Sequence, residues 1–438
     1  MNVTSVCVFS AAIVLAMGLA AGARAEPPRV VALDPPAMGV RLLGGEARVN
    51  REAVRVRGIA RLRVEPAAEV EVRDEPIAIA DGQINNWVGG SSPAGVMSLN
   101  SEIRLWGCLK PGTLLVRSEK GGGITYTAGQ DYVLDETWGA IARKPAEARK
   151  PEGRIPQGGT VFASYTYGLE RLDTVEVEPG GGVLVRRGED AQVCPLPART
   201  PRGNMPLAHI YVTYHARVIT QDLIYPIGPR VRPVISENAD RFVQHTLAKL
   251  RRGAAVTVVF LGDSVTAGGN ATSPDKRFPD LFAARLRRQF PRARVTMVNA
   301  GVGGTNSDFG LERLDKDVLA HKPDLVVVEF VNDMFWPPAK IRSNYAELVA
   351  RVRRAGAEVI ICTPHYMAPQ WMKTFEPAAQ ALREAARDSQ VGLADVSRSW
   401  GDLKAQGLPY MTLLANRINH PDNRGHRLFA DALIAFFR

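Results

Sequence analysis

The sequence predicts an α/β domain built on a doubly wound parallel sheet in its C-terminal half, preceded by an antiparallel, β-rich and sandwich-like region. Three observations carry this expectation. From Ser236 onward, short apolar strands alternate with amphipathic helical segments, the signature of βαβ units. Before Arg232, short alternating strands are separated by Gly/Pro turns with no helical period between them. Between the two lies Tyr225-Pro-Ile-Gly-Pro-Arg-Val-Arg-Pro, a Pro-rich stretch that reads as a linker. A chain of 438 residues also exceeds one compact domain. The expected division is a leader at 1–25, a β-rich region at 26–232 with a subdivision near 76, and an α/β domain at 236–438.

The elements follow in order. Val6 to Gly22 is almost wholly apolar and small, and Ala23-Arg24-Ala25 has the form of a cleavage site. This reads as a secretory signal removed after Ala25, although its start carries no Lys or Arg, and it places the protein outside the cytoplasm, secreted or periplasmic. No other segment approaches the ~20 apolar residues that span a bilayer, so no stable membrane insertion is expected once the leader is gone. Strands of the β-rich region are read at Ala53–Ile59, Thr113–Arg117, Thr160–Tyr167, Thr174–Glu178, Gly182–Arg186 and His209–His215. In the second half, Glu237–Arg252 fits an amphipathic helix. Strands follow at Val256–Leu261, Arg294–Asn299, Leu325–Phe330, Glu358–Thr363 and Gly392–Val396. Helices are read at Phe278–Gln289, Ser307–Ala320, Ile341–Ala355, Phe375–Ser389 and Arg424–Phe437.

Composition excludes several classes. Apolar residues make up 45% and charged residues 23%, so the chain is neither disordered nor fibrous. The net charge of +10 comes with clustered arginines at Arg285, Arg287, Arg288, Arg292 and Arg294. These lie on or beside one helix without aromatic interleaving, so no nucleic-acid partner is expected. Cys7 leaves with the leader, and of Cys108, Cys194 and Cys362 the first two are a plausible disulfide. Cys362 ends an apolar run and reads as a buried thiol. No Cys/His spacing has the form of a metal site, and no cofactor is implied. Oligomeric state is not legible.

In a doubly wound sheet, ligands gather at the C-terminal strand ends. The first strand ends in Gly262-Asp263-Ser264, which exposes a hydroxyl and a free backbone N–H together. Taken alone, the tripeptide reads better as an ordinary strand-to-helix turn with Ser264 as the helix cap. The second strand runs into Asn299-Ala-Gly-Val-Gly-Gly-Thr-Asn, whose bare backbone can aim an N–H at a reacting oxygen. The third ends in Glu329-Phe-Val-Asn332-Asp333, which offers a side-chain amide. Near the C-terminus, Asn416-Arg-Ile-Asn-His420-Pro421 can return an imidazole to Ser264. His365, after the fourth strand, and Trp336, after the third, are candidate substrate contacts, as is Trp371.

Together these blocks resemble the SGNH/GDSL hydrolase family, over about Val256 to Arg438. Gly262-Asp263-Ser264 matches its first block, with Val265 in place of the usual leucine. Gly304 matches the second, Asn332 the third, with Val331 where a glycine is frequent, and His420-Pro421 the fourth. The resemblance implies a flavodoxin-like sheet and a serine esterase. It makes Ser264 the nucleophile, His420 the general base, and Ser264, Gly304 and Asn332 the oxyanion hole.

One departure matters. The family usually carries an aspartate about three residues before the histidine, and here Arg417 stands three before and Asn416 four before. Asn416 can orient the imidazole without supplying a full charge. Asp422 or Asp395 are alternative acids. The reading is an exported esterase that deacetylates a carbohydrate. The missing acid keeps open a weak or inactive carbohydrate- or envelope-binding protein, and the scaffold keeps open an acyltransferase or lipid-directed esterase.

Overall fold

The computed structural model describes residues 26–82, 84, 89–98, 103–144, 154–228 and 239–438. The expected leader, the start of the helix read from Glu237 and most of the Pro-rich linker lie outside the described residues.

From residue 239 the chain builds one parallel sheet of five strands: β1 (Ala255–Gly262), β2 (Arg294–Gly301), β3 (Leu325–Glu329), β4 (Glu358–Cys362) and β5 (Gly392–Ala394). Their order is β2-β1-β3-β4-β5, the flavodoxin-like arrangement in which the chain reverses direction between β1 and β3. The central strands are runs of Val, Ile, Leu and Phe because helices cover both faces, and β3 is buried at every position. Register aligns the strand ends: Gly262 of β1 sits opposite Gly301 of β2 on one side and Glu329 of β3 on the other. The residues that follow β1, β2 and β3 therefore meet at one edge, at the point of reversal.

The helices are α1 (Gln244–Arg251), α2 (Ser264–Ala267), α3 (Phe278–Gln289), α4 (Ser307–Glu312), α5 (Leu314–Asp317), α6 (Pro338–Arg354), α7 (Met372–Asp388), α8 (Val396–Ala405) and α9 (Asn423–Ile434). The helix α3 has the bounds expected from its pattern. The helix expected over Ser307–Ala320 is instead two short helices that part at Arg313, whose guanidinium turns inward to the carbonyls of Ala300 and Gly262. The helix α8 has no counterpart in the sequence reading; Asp395 caps it and Trp400 anchors it in the core.

Before residue 227 the sheets are antiparallel. A three-stranded sheet (Arg29–Ala32, Gly39–Leu43, Ile59–Arg63) shares a core with a four-stranded one (Arg171–Val177, Val183–Arg186, Met205–Val212, Ile224–Pro226), the sandwich arrangement. A second core forms around the sheet of Glu69–Ala78, Leu115–Glu119, Gly122–Tyr126 and Thr160–Gly168. The subdivision expected near 76 falls inside the strand Glu69–Ala78, because the first core takes its strands from both ends of the region. Cys108, Cys194 and Cys362 are free thiols, so the Cys108–Cys194 disulfide is not formed. Burial pushes the Cys108 thiol up to about 12. Among the described residues, no helix is long and apolar enough to cross a membrane.

Candidate active site

Ser264 opens α2 directly after β1, and Asp263 caps that helix by accepting the Val265 N–H at 3.0 Å. The Ser264 N–H, at the first helical position, has no intrahelical acceptor. Asp263 also accepts the Asn332 N–H at 3.1 Å, tying the end of β1 to the loop after β3. Asp263 is fully buried, and burial raises its carboxyl to about 7, with Asp333 nearby adding to the rise. Asp333 accepts the Ser307 N–H, and its own carboxyl is raised to about 6, again by burial. These two acids brace the loops and do not line the cavity beside Ser264.

His420 lies across from Ser264, with Nε2 at 2.9 Å from Oγ. The atom behind the imidazole is Asn270 Oδ1, 2.7 Å from Nδ1. Asn270 was not among the sequence candidates. It reaches the site because α2 lasts only one turn and ends at Gly268 with φ +98°, and Asn270 itself takes φ +60°. Gly269 completes the turn: a β-carbon there would lie 2.8 Å from the His420 ring. The short Gly-Gly-Asn run is thus shaped to admit the imidazole and to set an amide oxygen behind it.

This corrects the expectation for Asn416. Its Oδ1 accepts the backbone N–H groups of Ile418, Asn419 and His420, each at 2.9 Å, so it closes the loop that carries His420 and does not touch the imidazole. Asp422 and Asp395 are equally absent from that role. Asp422 caps α9, and Asp395 pairs with Arg383 and bonds Ser397. Arg417 points away from the imidazole into the β-rich region.

His420 is 7% exposed, and burial lowers its pKa to about 4. At neutral pH the ring is therefore uncharged. With Asn270 Oδ1 facing Nδ1, the proton sits on Nδ1, which leaves the Nε2 lone pair to accept the Ser264 O–H. This arrangement can generate a nucleophilic alkoxide character at Ser264 without a metal or cofactor. Among the described residues, no cluster of His, Cys, Asp and Glu could hold a metal ion.

The remaining candidates divide. Gly304 adopts φ +74°, and a β-carbon at Gly303 would lie 3.8 Å from Ser264 Cβ, so the loop after β2 passes beside Ser264. Asn332 donates one amide N–H to Thr305 O at 2.8 Å, and an amide carries a second. Both residues line a cavity of about 620 Å³ together with Ser264 and His420. Trp336 and Trp371 line it too, beside Phe335, which is 51% exposed. His365 does not line it. It is fully buried, its ring tilted at 52° to that of Trp400, and its Nε2 lies 2.7 Å from Asn419 O, so it supports the His420 loop from behind. The β-rich region contributes Ile103 to the cavity wall, a residue the sequence reading passed over.

The comparisons with known proteins agree in kind. The model of the GDSL-like lipase/acylhydrolase family matches residues 260–428. An esterase TesA of Pseudomonas aeruginosa is 30% identical over 168 residues, covering 36% of this chain and 81% of that protein. An arylesterase of Vibrio mimicus is 32% identical over 111 residues, 25% of this chain and 54% of its own length, so the chain spans about half of that relative. An acetylxylan esterase of Geobacillus stearothermophilus is 21% identical over 210 residues, 42% of this chain and 95% of that protein.

Proposed function

The chain belongs to the GDSL-like lipase/acylhydrolase family, and on that premise we propose that it is an exported serine esterase that removes acetyl groups from a carbohydrate. The observation that carries the reading is the Ser264–His420–Asn270 chain of contacts at the mouth of the cavity.

Ser264 Oγ attacks the ester carbonyl carbon as its proton passes to His420 Nε2. The carbonyl oxygen becomes an oxyanion, held by the N–H groups of Ser264 and Gly304 and the free amide N–H of Asn332. On collapse, the C–O bond to the leaving alcohol breaks, and that alcohol takes the proton back from Nε2. Water then attacks the acyl-enzyme by the same route and releases the acid. Asn270 holds the imidazole throughout but gives the imidazolium no full counter-charge. In serine proteases, an Asp-to-Asn change behind the histidine lowers turnover by about 10⁴, largely through the wrong tautomer. Here the amide oxygen faces Nδ1, so the productive tautomer is favoured, and a working dyad is the reading this geometry supports best.

Two features favour a sugar ester. Phe335, Trp336 and Trp371 offer aromatic faces beside the nucleophile, and one relative, 21% identical and matched over 95% of its length, is an acetylxylan esterase. Export rests on the apolar leader read from residues 6–25. The test is Ser264→Ala on 4-nitrophenyl acetate and on acetylated xylan. Loss of both activities supports the esterase reading, and equal rates for variant and parent overturn it. An acyl-chain series with its maximum at long chains would count against the carbohydrate substrate.

A further inference from the structure

Arg417 occupies the position three residues before His420, yet its guanidinium is buried inside the β-rich region. There it pairs with Glu170 and accepts company from two tyrosines. Its Nη1 donates to Tyr211 Oη at 3.0 Å, the Tyr211 hydroxyl bonds Glu170, and the guanidinium lies 4.3 Å over the Tyr214 ring. Glu170 and Tyr211 are fully or nearly fully buried, and they sit on adjacent antiparallel strands or directly before them. Arg417 itself holds φ +56°, a conformation an arginine keeps only when its surroundings impose it.

The next links run to the catalytic base. Asn416, adjacent to Arg417, gathers the N–H groups of the three residues up to His420. Ile418, on the other side of Arg417, packs with Trp138 and Ala140 of the β-rich region, with Ile103 and Trp371 beside them. The loop bearing His420 is thus gripped at two points by residues from the other half of the chain.

We propose that Glu170 is a positioning residue for the reaction: through Arg417 it sets the loop that holds His420 against Ser264 and Asn270, so the β-rich region is part of the catalytic apparatus. The proposal rests on the Ser264–His420 reading. A merely structural role would join the two regions without bearing on the imidazole.

Single charge removals would leave a buried ion unpaired and endanger folding. The informative variant is therefore Glu170→Gln/Arg417→Met, which removes both charges. The control is Glu176→Gln/Arg186→Met, which likewise removes both charges of an ion pair, elsewhere in the β-rich region. Each is assayed with 4-nitrophenyl acetate at a temperature where circular dichroism shows it folded. The double variant is expected to lose roughly tenfold to a hundredfold in kcat with KM little changed, as a loosened base would dictate. The acid limb of its kcat/KM profile should also move up toward about 6.5, because a released imidazole is rehydrated. Burial holds the neighbouring His365 and His426 neutral at pH 6.5, and Asp263 and Asp333 titrate alike in parent and variant, so a limb that moves between the two reports His420. The folded control keeps the parental kcat and limb.

A folded double variant with parental kcat and acid limb overturns the proposal, as does a control that changes in the same way. If the double variant does not fold, Tyr211→Phe decides: it keeps both charges and must lower kcat and shift the limb in the same direction by a smaller factor. Parental behaviour there also overturns it. Ser264→Ala separates the two levels. If that variant retains activity, the underlying dyad reading fails. If it is inactive while the double variant is parental, only the role of Glu170 fails.

Discussion

Asn270 Oδ1 lies 2.7 Å from His420 Nδ1, on the side of the imidazole opposite Ser264. An amide therefore stands where an acid would complete a triad. A neutral hydrogen bond of this kind is worth about 0.5–1.5 kcal/mol. Asn270→Ala should accordingly lower kcat by about twofold to tenfold with KM retained. Asn270→Asp, which tolerates the same left-handed backbone, should raise the imidazole pKa and move the acid limb of kcat/KM to higher pH. Steady-state kinetics across pH check both, and an unchanged Asn270→Ala profile would remove Asn270 from the site.

The pH dependence of the parent follows from burial. His420 acts as a base only when neutral, and burial lowers its pKa to about 4. Activity should therefore fall as pH drops through about 4. A limb near the ordinary imidazole value of about 6.5 would mean that the ring is hydrated in solution.

The geometry around the oxyanion and the imidazole is equally exposed to test. Asn332→Ala should cost ~10²–10³ in kcat with little change in KM, as for other oxyanion donors. Gly269→Ala sets a methyl 2.8 Å from the His420 ring. Displacement of the ring by about 1 Å should cost on the order of 10² in kcat. Parental kinetics in either variant would contradict the assigned geometry.

Much of this site was legible because its chemistry sits at strand ends. Ser264, Gly304, Asn332 and His420 follow β1, β2, β3 and the last loop in order, and the strands themselves are long apolar runs. Asn270 escaped notice because its partner is 150 positions away, and only the Gly268-Gly269-Asn270 run hinted at a left-handed turn. Arg417 could be read as a missing acid but not as an anchor, since Glu170 lies 247 positions off. His365 and Asn416 read in the sequence as a substrate contact and an imidazole partner, but each spends its hydrogen bonds on the His420 loop, which only the folded chain reveals. The strand pairing of the β-rich region depends on turns and non-local partners that alternation alone does not specify.

Substrate class is tested at the aromatic rim. Trp371→Ala and Trp336→Ala should raise KM for an acetylated xylo-oligosaccharide several-fold while leaving KM for 4-nitrophenyl acetate nearly unchanged, because each ring stacking contact is worth about 0.5–1.5 kcal/mol. One face of Trp336 already meets Lys340, whose Nζ is 4.2 Å from the ring centre. Equal shifts on both substrates would count against sugar stacking.

The central claim is that His420, oriented by Asn270, activates Ser264 as a nucleophile. Reaction with a fluorophosphonate followed by peptide mass mapping tests it most directly. One phosphonyl group is expected on Ser264 at neutral pH, and none in His420→Ala over the same time. A phosphonyl group on another residue, or no adduct on a folded and catalytically active parent, would contradict it.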